Sequence, residues 1–155
     1  MIDLLYNLSI LCLVLFSFYV VLVLPIKFHN RKKRREREQA YQAFLKSLEG
    51  KCFFCYNNRK NAMAFIEAKV LSNLPKEMEV VFLNGKEIEY SYDKENMSRA
   101  FYSFKNYKGF PHLMKIENGQ MIDQSIHTSF FRCLNGRMEL SALLNEIAQF
   151  CRRQN

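Results

Sequence analysis

Between Gly109 and Ile126 the chain reads GFPHLMKIENGQMIDQSI. Two apolar runs flank Asn118-Gly119, and an Asn-Gly pair so placed is the strongest short-range signal of a β-hairpin, because both central positions of the tight turn need positive φ. Pro111 stands at the head of the first run, where a missing N–H does least harm to a strand. A lone hairpin is marginal in water, so it needs further strands or a helix to cover it.

The flanking sequence supplies them. Upstream, KCFFCYN (51–57) is an apolar, aromatic run of strand length. NRKNAMAFIEAKVLSNL (58–74) sets Met63, Ile66, Val70 and Leu74 on one helical face and stops at Pro75. MEVVFLNG (78–85) is a second strand ended by Asn84-Gly85, and a helical stretch follows around 94–106. Downstream, after a break at Asn135-Gly136, MELSALLNEIAQFC (138–151) spaces Leu140, Leu143, Leu144, Ile147 and Phe150 as one face of a helix. The predicted order is β-α-β-α-β-β-α within residues 50–155, a length that closes one core.

Order and local text together resemble the thioredoxin fold. Gly109-Phe110-Pro111-His112-Leu113-Met114 looks like that family's cis-proline strand, Ile116 to Ile122 like its tight turn and last strand, and 138–151 like its closing helix. The resemblance covers about residues 50–152 and is most specific over 109–122. It implies a cis peptide bond at Phe110-Pro111, and a backbone beside Phe110 and Pro111 able to hold an extended peptide by strand addition.

Cys52-Phe53-Phe54-Cys55 has the CxxC spacing of the family's redox pair, which belongs on the first turn of the helix after the first strand. Here residues 38–49 read as helix, so CFFC itself must form the first strand. In a strand, positions three apart point to opposite faces, about 10 Å apart, beyond the reach of a disulfide. The family's redox position then falls near Asn57-Asn58-Arg59-Lys60-Asn61, which holds no thiol. Cys133 and Cys151 read as small hydrophobic residues, and Cys12 lies in the N-terminal apolar run. Two functions stay open: a membrane-anchored thioredoxin-like binding or accessory module for a membrane complex or a peptide, and a tethered thiol-disulfide oxidoreductase using Cys52 and Cys55 as catalytic residues. Strand or helix start at CFFC separates them.

The N-terminus carries a different message. Leu4 to Leu24 are 21 residues without a charge; in a helix they reach roughly 32 Å, the thickness of a bilayer's hydrocarbon core. Asp3 is the only charge before the run, whereas residues 27–38 hold seven basic and two acidic side chains. A cleaved signal peptide has the reverse order. The basic flank, with Arg31, Lys32, Lys33, Arg34 and Arg35 at its centre, predicts contact with anionic lipid headgroups and a C-terminal domain in the cytoplasm. Tyr41, Phe44, Leu45 and Leu48 then follow at helical spacing up to Gly50. The expected divisions are a single-pass transmembrane helix (1–26), a basic juxtamembrane segment with an amphipathic linker helix (27–49), and the thioredoxin-like α/β domain (50–155).

Of a formal charge of +8, the juxtamembrane run supplies +5. That clustering argues against nucleic acid, which wants basic residues spread over a folded face among aromatics. His112, His127, Cys133 and Cys151 stand singly, without the close ligand pairs of a zinc site, so no metal is expected. With five glycines in the chain, no phosphate-cradling loop is present, and neither HExxH nor GxSxG occurs. No cofactor is expected, and a protein or peptide is the expected partner.

Overall fold

A computed structural model describes residues 2–85, 87–89, 91 and 93–153. It divides into two compact units, residues 1–41 and 42–155.

The first unit is helical throughout. Helix α1 (Ile2–Phe18) passes through one π turn (Tyr19–Val23) into α2 (Leu24–Ser47). The sequence reading ends the transmembrane helix at residue 26, just past Pro25, yet the helix runs on. Proline offers no N–H and its ring crowds the carbonyl four residues back. A π turn immediately before it widens the backbone there, the usual accommodation for such an insertion. The helix from Ile10 is long and apolar enough to cross a membrane, and none of its apolar window is buried in protein.

The second unit is a five-stranded mixed sheet in the order β3-β2-β1-β4-β5. Its strands are β1 (Cys52–Asn57), β2 (Met78–Asn84), β3 (Glu87–Glu89), β4 (His112–Glu117) and β5 (Gln120–Ser125). β1 and β2 are parallel, joined through α3 (Lys60–Phe65) and its continuation to Asn73. β4 runs antiparallel to β1, and β5 antiparallel to β4. Helix α4 (Lys94–Tyr102) precedes β4, and α5 (His127–Leu134) and α6 (Leu140–Arg152) close the chain. Two of these elements escape the sequence reading. β3 is three residues of Glu-Ile-Glu paired to β2 across the Gly85 turn, and α5 is only eight residues, four of them apolar (Phe130, Phe131, Cys133 and Leu134).

CFFC is strand. Cys52, Phe54 and Tyr56 share one face with Leu113 and pack under Ile66, Val70, Phe130, Leu143, Ile147 and Phe150 from the helices. Phe53 and Cys55 take the other face, level with Met114 and His112, and are fully buried. Burial on both faces is why the run shows no alternation. Each phenylalanine withdrawn from water here contributes about 1.5–3 kcal/mol.

The hairpin turn is as the sequence predicts: Asn118 and Gly119 have φ of 54° and 67°. Glu49, just past the end of α2, accepts hydrogen bonds from the Asn118 and Gly119 N–H groups at 2.6 and 2.8 Å. Tyr41, Phe44, Leu45 and Leu48 are buried, as their spacing requires.

Candidate functional site: the cis-proline corner

The Phe110-Pro111 peptide bond is cis. Pro111 is buried at the head of β4, and Phe110 is half-buried beside it. Gly109 has φ of +122°, and a Cβ there would lie 2.7 Å from Cδ2 of His127. Both the backbone conformation and the ring behind it exclude a side chain at this position.

The loop from Ser103 to Gly109 brings aromatic rings to the same corner, and a buried pair on the hairpin fixes it. His112 Nε2 lies 3.0 Å from Asp123 Oδ2, with both residues buried. Asp123 also accepts hydrogen bonds from the Lys105 and Asn106 N–H groups, each at 3.1 Å. The carboxylate thus takes three donors and holds two consecutive loop residues. An ionised carboxylate only accepts, so Nε2 carries the His112 proton and Nδ1 is the lone-pair nitrogen. Nδ1 is buried without a hydrogen-bond partner. The imidazole stacks on Phe104 with centroids 4.2 Å apart and 23° between planes, and Tyr107 lies 5.8 Å away. Burial pushes the His112 pKa below its ordinary value, and the Asp123 hydrogen bond and charge, with the Gly109 backbone, work in the opposite sense.

Helix α4 supplies the facing wall. Asp93 caps it, accepting from the Glu95 and Asn96 N–H groups at 2.9 and 3.2 Å, and those hydrogen bonds lower its pKa. With Met97 and Ala100 buried beneath, Phe101 and Tyr102 are carried to the corner. Between this wall, the loop and the ends of β2 and β3 lies a groove of about 410 Å3, lined by Leu83, Ile88, Phe101, Phe104, Tyr107 and Phe110 among others. That volume falls within the usual range for specific ligand sites.

On the other side of Gly109, the segment Asn57 to Asn61 leads into α3. Asn58 Nδ2 donates to Asn84 Oδ1 at 3.0 Å, and the Arg59 guanidinium sits 4.8 Å from the centre of the Phe131 ring. His127 lies against Phe131, centroids 4.6 Å apart; burial first, then the Arg59 charge, lowers its pKa. The position is basic and aromatic.

The two cysteines of CFFC do not meet. Cys52 is bonded to Cys151 of α6, with Cα atoms 5.9 Å apart, and Cys55 is a free, fully buried thiol on the opposite face. Burial pushes the Cys55 thiol far above its ordinary pKa, and thiolate, the reactive form, is correspondingly suppressed. Cys151 is therefore half of a bond, where the sequence reading makes it a separate small hydrophobic residue; no local pattern links positions 99 apart. Cys133 is free and buried.

Arg31, Lys32, Lys33, Arg34 and Arg35 are exposed on α2, remote in sequence from the corner. Among the described residues no group of His, Cys, Asp and Glu is placed to hold a metal ion. The sequence brings Phe110 and Pro111 to notice but treats His112 as isolated and passes over Asp123. The signal was available in the turn: Glu117 pairs with Gln120 across Asn118-Gly119, and counting back sets His112 diagonally across from Asp123 on one face.

No protein-family model, no curated protein and no solved structure matches this chain.

Proposed function

We propose that the chain is a membrane-anchored binding or accessory module of the thioredoxin-like type, without the exchange chemistry of a redox pair. Strand order β2-β1-β4-β5, with β1 and β2 parallel and β4 and β5 antiparallel, supports that likeness, as does the cis-proline at the head of β4. One observation carries the functional reading: Cys52 and Cys55 occupy opposite faces of β1, the first bonded elsewhere and the second desolvated. Thiol exchange needs an accessible thiolate with a resolving partner in reach. What the corner retains is a shaped surface, with Phe110 and Pro111 beside a groove, suited to an extended peptide or a protein loop.

The test has two arms on the full chain in detergent micelles. Turnover of a model disulfide should stay at the uncatalysed rate and be unaltered by Cys55→Ala. Turnover lost on Cys52→Ser would instead establish the oxidoreductase. In the second arm, photo-crosslinking from position 110 in membranes should capture a discrete partner, and failure to capture any would remove the binding reading.

The apolar helix and its basic flank support a single membrane span, with Arg31 to Arg35 among anionic headgroups and the domain in the cytoplasm. The Cys52–Cys151 bond pulls toward an oxidising compartment. Charge governs insertion before the domain folds, whereas an adjacent cysteine pair opens or closes with ambient redox state, so we hold to the charges. In sealed spheroplasts, a cysteine at exposed position 141 should resist a membrane-impermeant maleimide until the membrane is opened. Immediate labelling would reverse the orientation.

A further inference from the structure

We infer that the aromatic groove beside Phe110 takes a proline-rich segment in the polyproline II conformation, an inference that rests on the binding-module reading above. The rings on its floor touch one another. Centroid separations are 5.4 Å for Phe101–Phe104, 6.3 Å for Phe104–Tyr107, 5.5 Å for Tyr107–Phe110 and 6.2 Å for Phe101–Phe110. All four lie within the contact range of aromatic pairs. They form a closed quartet of touching rings that gives the groove a continuous apolar lining.

Charge and shape then narrow the occupant. A cation held by aromatics sits over open ring faces, usually with a carboxylate near, whereas an anion needs Arg, Lys or a row of N–H donors. Among the described residues lining this groove none is charged. Ser98, Tyr102 and Tyr107, all hydroxyl-bearing, line it instead, with Tyr102 91% and Tyr107 54% exposed. A neutral ligand with flat apolar faces and unused carbonyls matches both features. Polyproline II has no internal hydrogen bonds, so its carbonyls are free to accept from hydroxyls while its pyrrolidine rings lie on aromatic faces. It also loses little conformational entropy on binding. The receiving wall is likewise ordered beforehand, because Asp123 holds the backbone at Lys105 and Asn106.

The chain contains no tryptophan, so a single tryptophan placed on a peptide reports that peptide alone. Three probes would be titrated into the full chain in detergent micelles: a decaproline, an alternating Thr-Val peptide that favours strand, and a peptide bearing trimethyl-lysine. Saturable binding of decaproline is expected, at least tenfold tighter than either of the others. Tyr107→Ala should weaken it tenfold or more. Tyr102→Phe, which removes one exposed hydroxyl and leaves the fold alone, should weaken it several-fold. Preference for the Thr-Val peptide would overturn this inference and keep the binding module, with strand addition as its mode. Preference for trimethyl-lysine would overturn it in favour of a cation site. If none of the three binds and crosslinking from position 110 also captures nothing, the binding module itself fails.

Discussion

Replacing Asp123 with alanine tests the corner most directly. The substitution strips partners from the Lys105 and Asn106 N–H groups and from His112 Nε2. A buried donor left without an acceptor costs about 1–3 kcal/mol. His112 is fully buried and bears that cost in full. Lys105 and Asn106 lie on an exposed loop that can turn to water, so each bears a fraction. The expected loss is about 2–5 kcal/mol, a large share of the 5–15 kcal/mol that holds most domains. Asp123→Asn keeps shape and one acceptor oxygen, and should cost about half as much. Urea denaturation of the full chain in micelles, followed by far-ultraviolet circular dichroism, measures both. A double-mutant cycle with His112→Phe, which retains the stacking on Phe104, should return a coupling of about 1–3 kcal/mol. An Asp123→Ala loss below about 1 kcal/mol, or a coupling near zero, would mean that the carboxylate does not organise this loop, and the groove would lose its preformed wall.

Three further outcomes follow from the same geometry. His112 has a folded pKa below its unfolded value near 6.5, so the unfolded chain binds more protons on acidification; stability from the neutral ring is complete above about pH 6.5 and falls as pH drops through the folded pKa, and His112→Phe should flatten part of a plot of unfolding free energy between pH 7.5 and 5. Reducing the Cys52–Cys151 bond frees a loop spanning 99 residues of sequence, a chain-entropy effect of about 4–5 kcal/mol; a melting temperature unchanged by reductant, with thiol titration confirming reduction, would contradict it. Gly109→Ala forces a positive φ on a residue with a Cβ and drives it into His127, so a loss of about 2–4 kcal/mol is expected, of which His127→Ala should recover the steric part only.

What the sequence could show depended on how far apart the cause and its effect lie along the chain. The hairpin was readable because Asn118 and Gly119 carry their own conformational demand, and the strand at CFFC because two bulky aromatics side by side suit burial on both faces. Helix α3 and helix α6 were readable from the spacing of Ile66 and Val70 and of Leu143, Ile147 and Phe150. β3 was hidden, since Glu87 and Glu89 are exposed and only Ile88 is buried; its place is set by β2 across the turn, not by its own composition. Pro25 misled because its local effect is to stop a helix, while a neighbouring π turn absorbs it. The Cys52–Cys151 bond was out of reach altogether, as it follows from the packing of α6 on β1. The site fell between these cases. Phe110 and Pro111 were visible, whereas His112 and Asp123 needed the hairpin register to be carried six residues beyond the turn.

The attachment of residues 49–51 bears on how an anchored module would transmit force. Glu49 grips the 118–119 turn, the Gly50 N–H donates to the Ile116 carbonyl, and the Ile116 N–H donates to the Lys51 carbonyl. Tension entering from a membrane helix would thus reach the sheet at β1, its middle strand, and at the turn end of β4 together. β1 is flanked by β2 over six register pairs and by β4 over four. A pull along such a strand shears many hydrogen bonds at once, whereas a pull on an edge strand peels them one by one. A load applied at the opposite end of β4, beside Pro111, would then run lengthwise along β1 and β4 and be shared by all of those pairs.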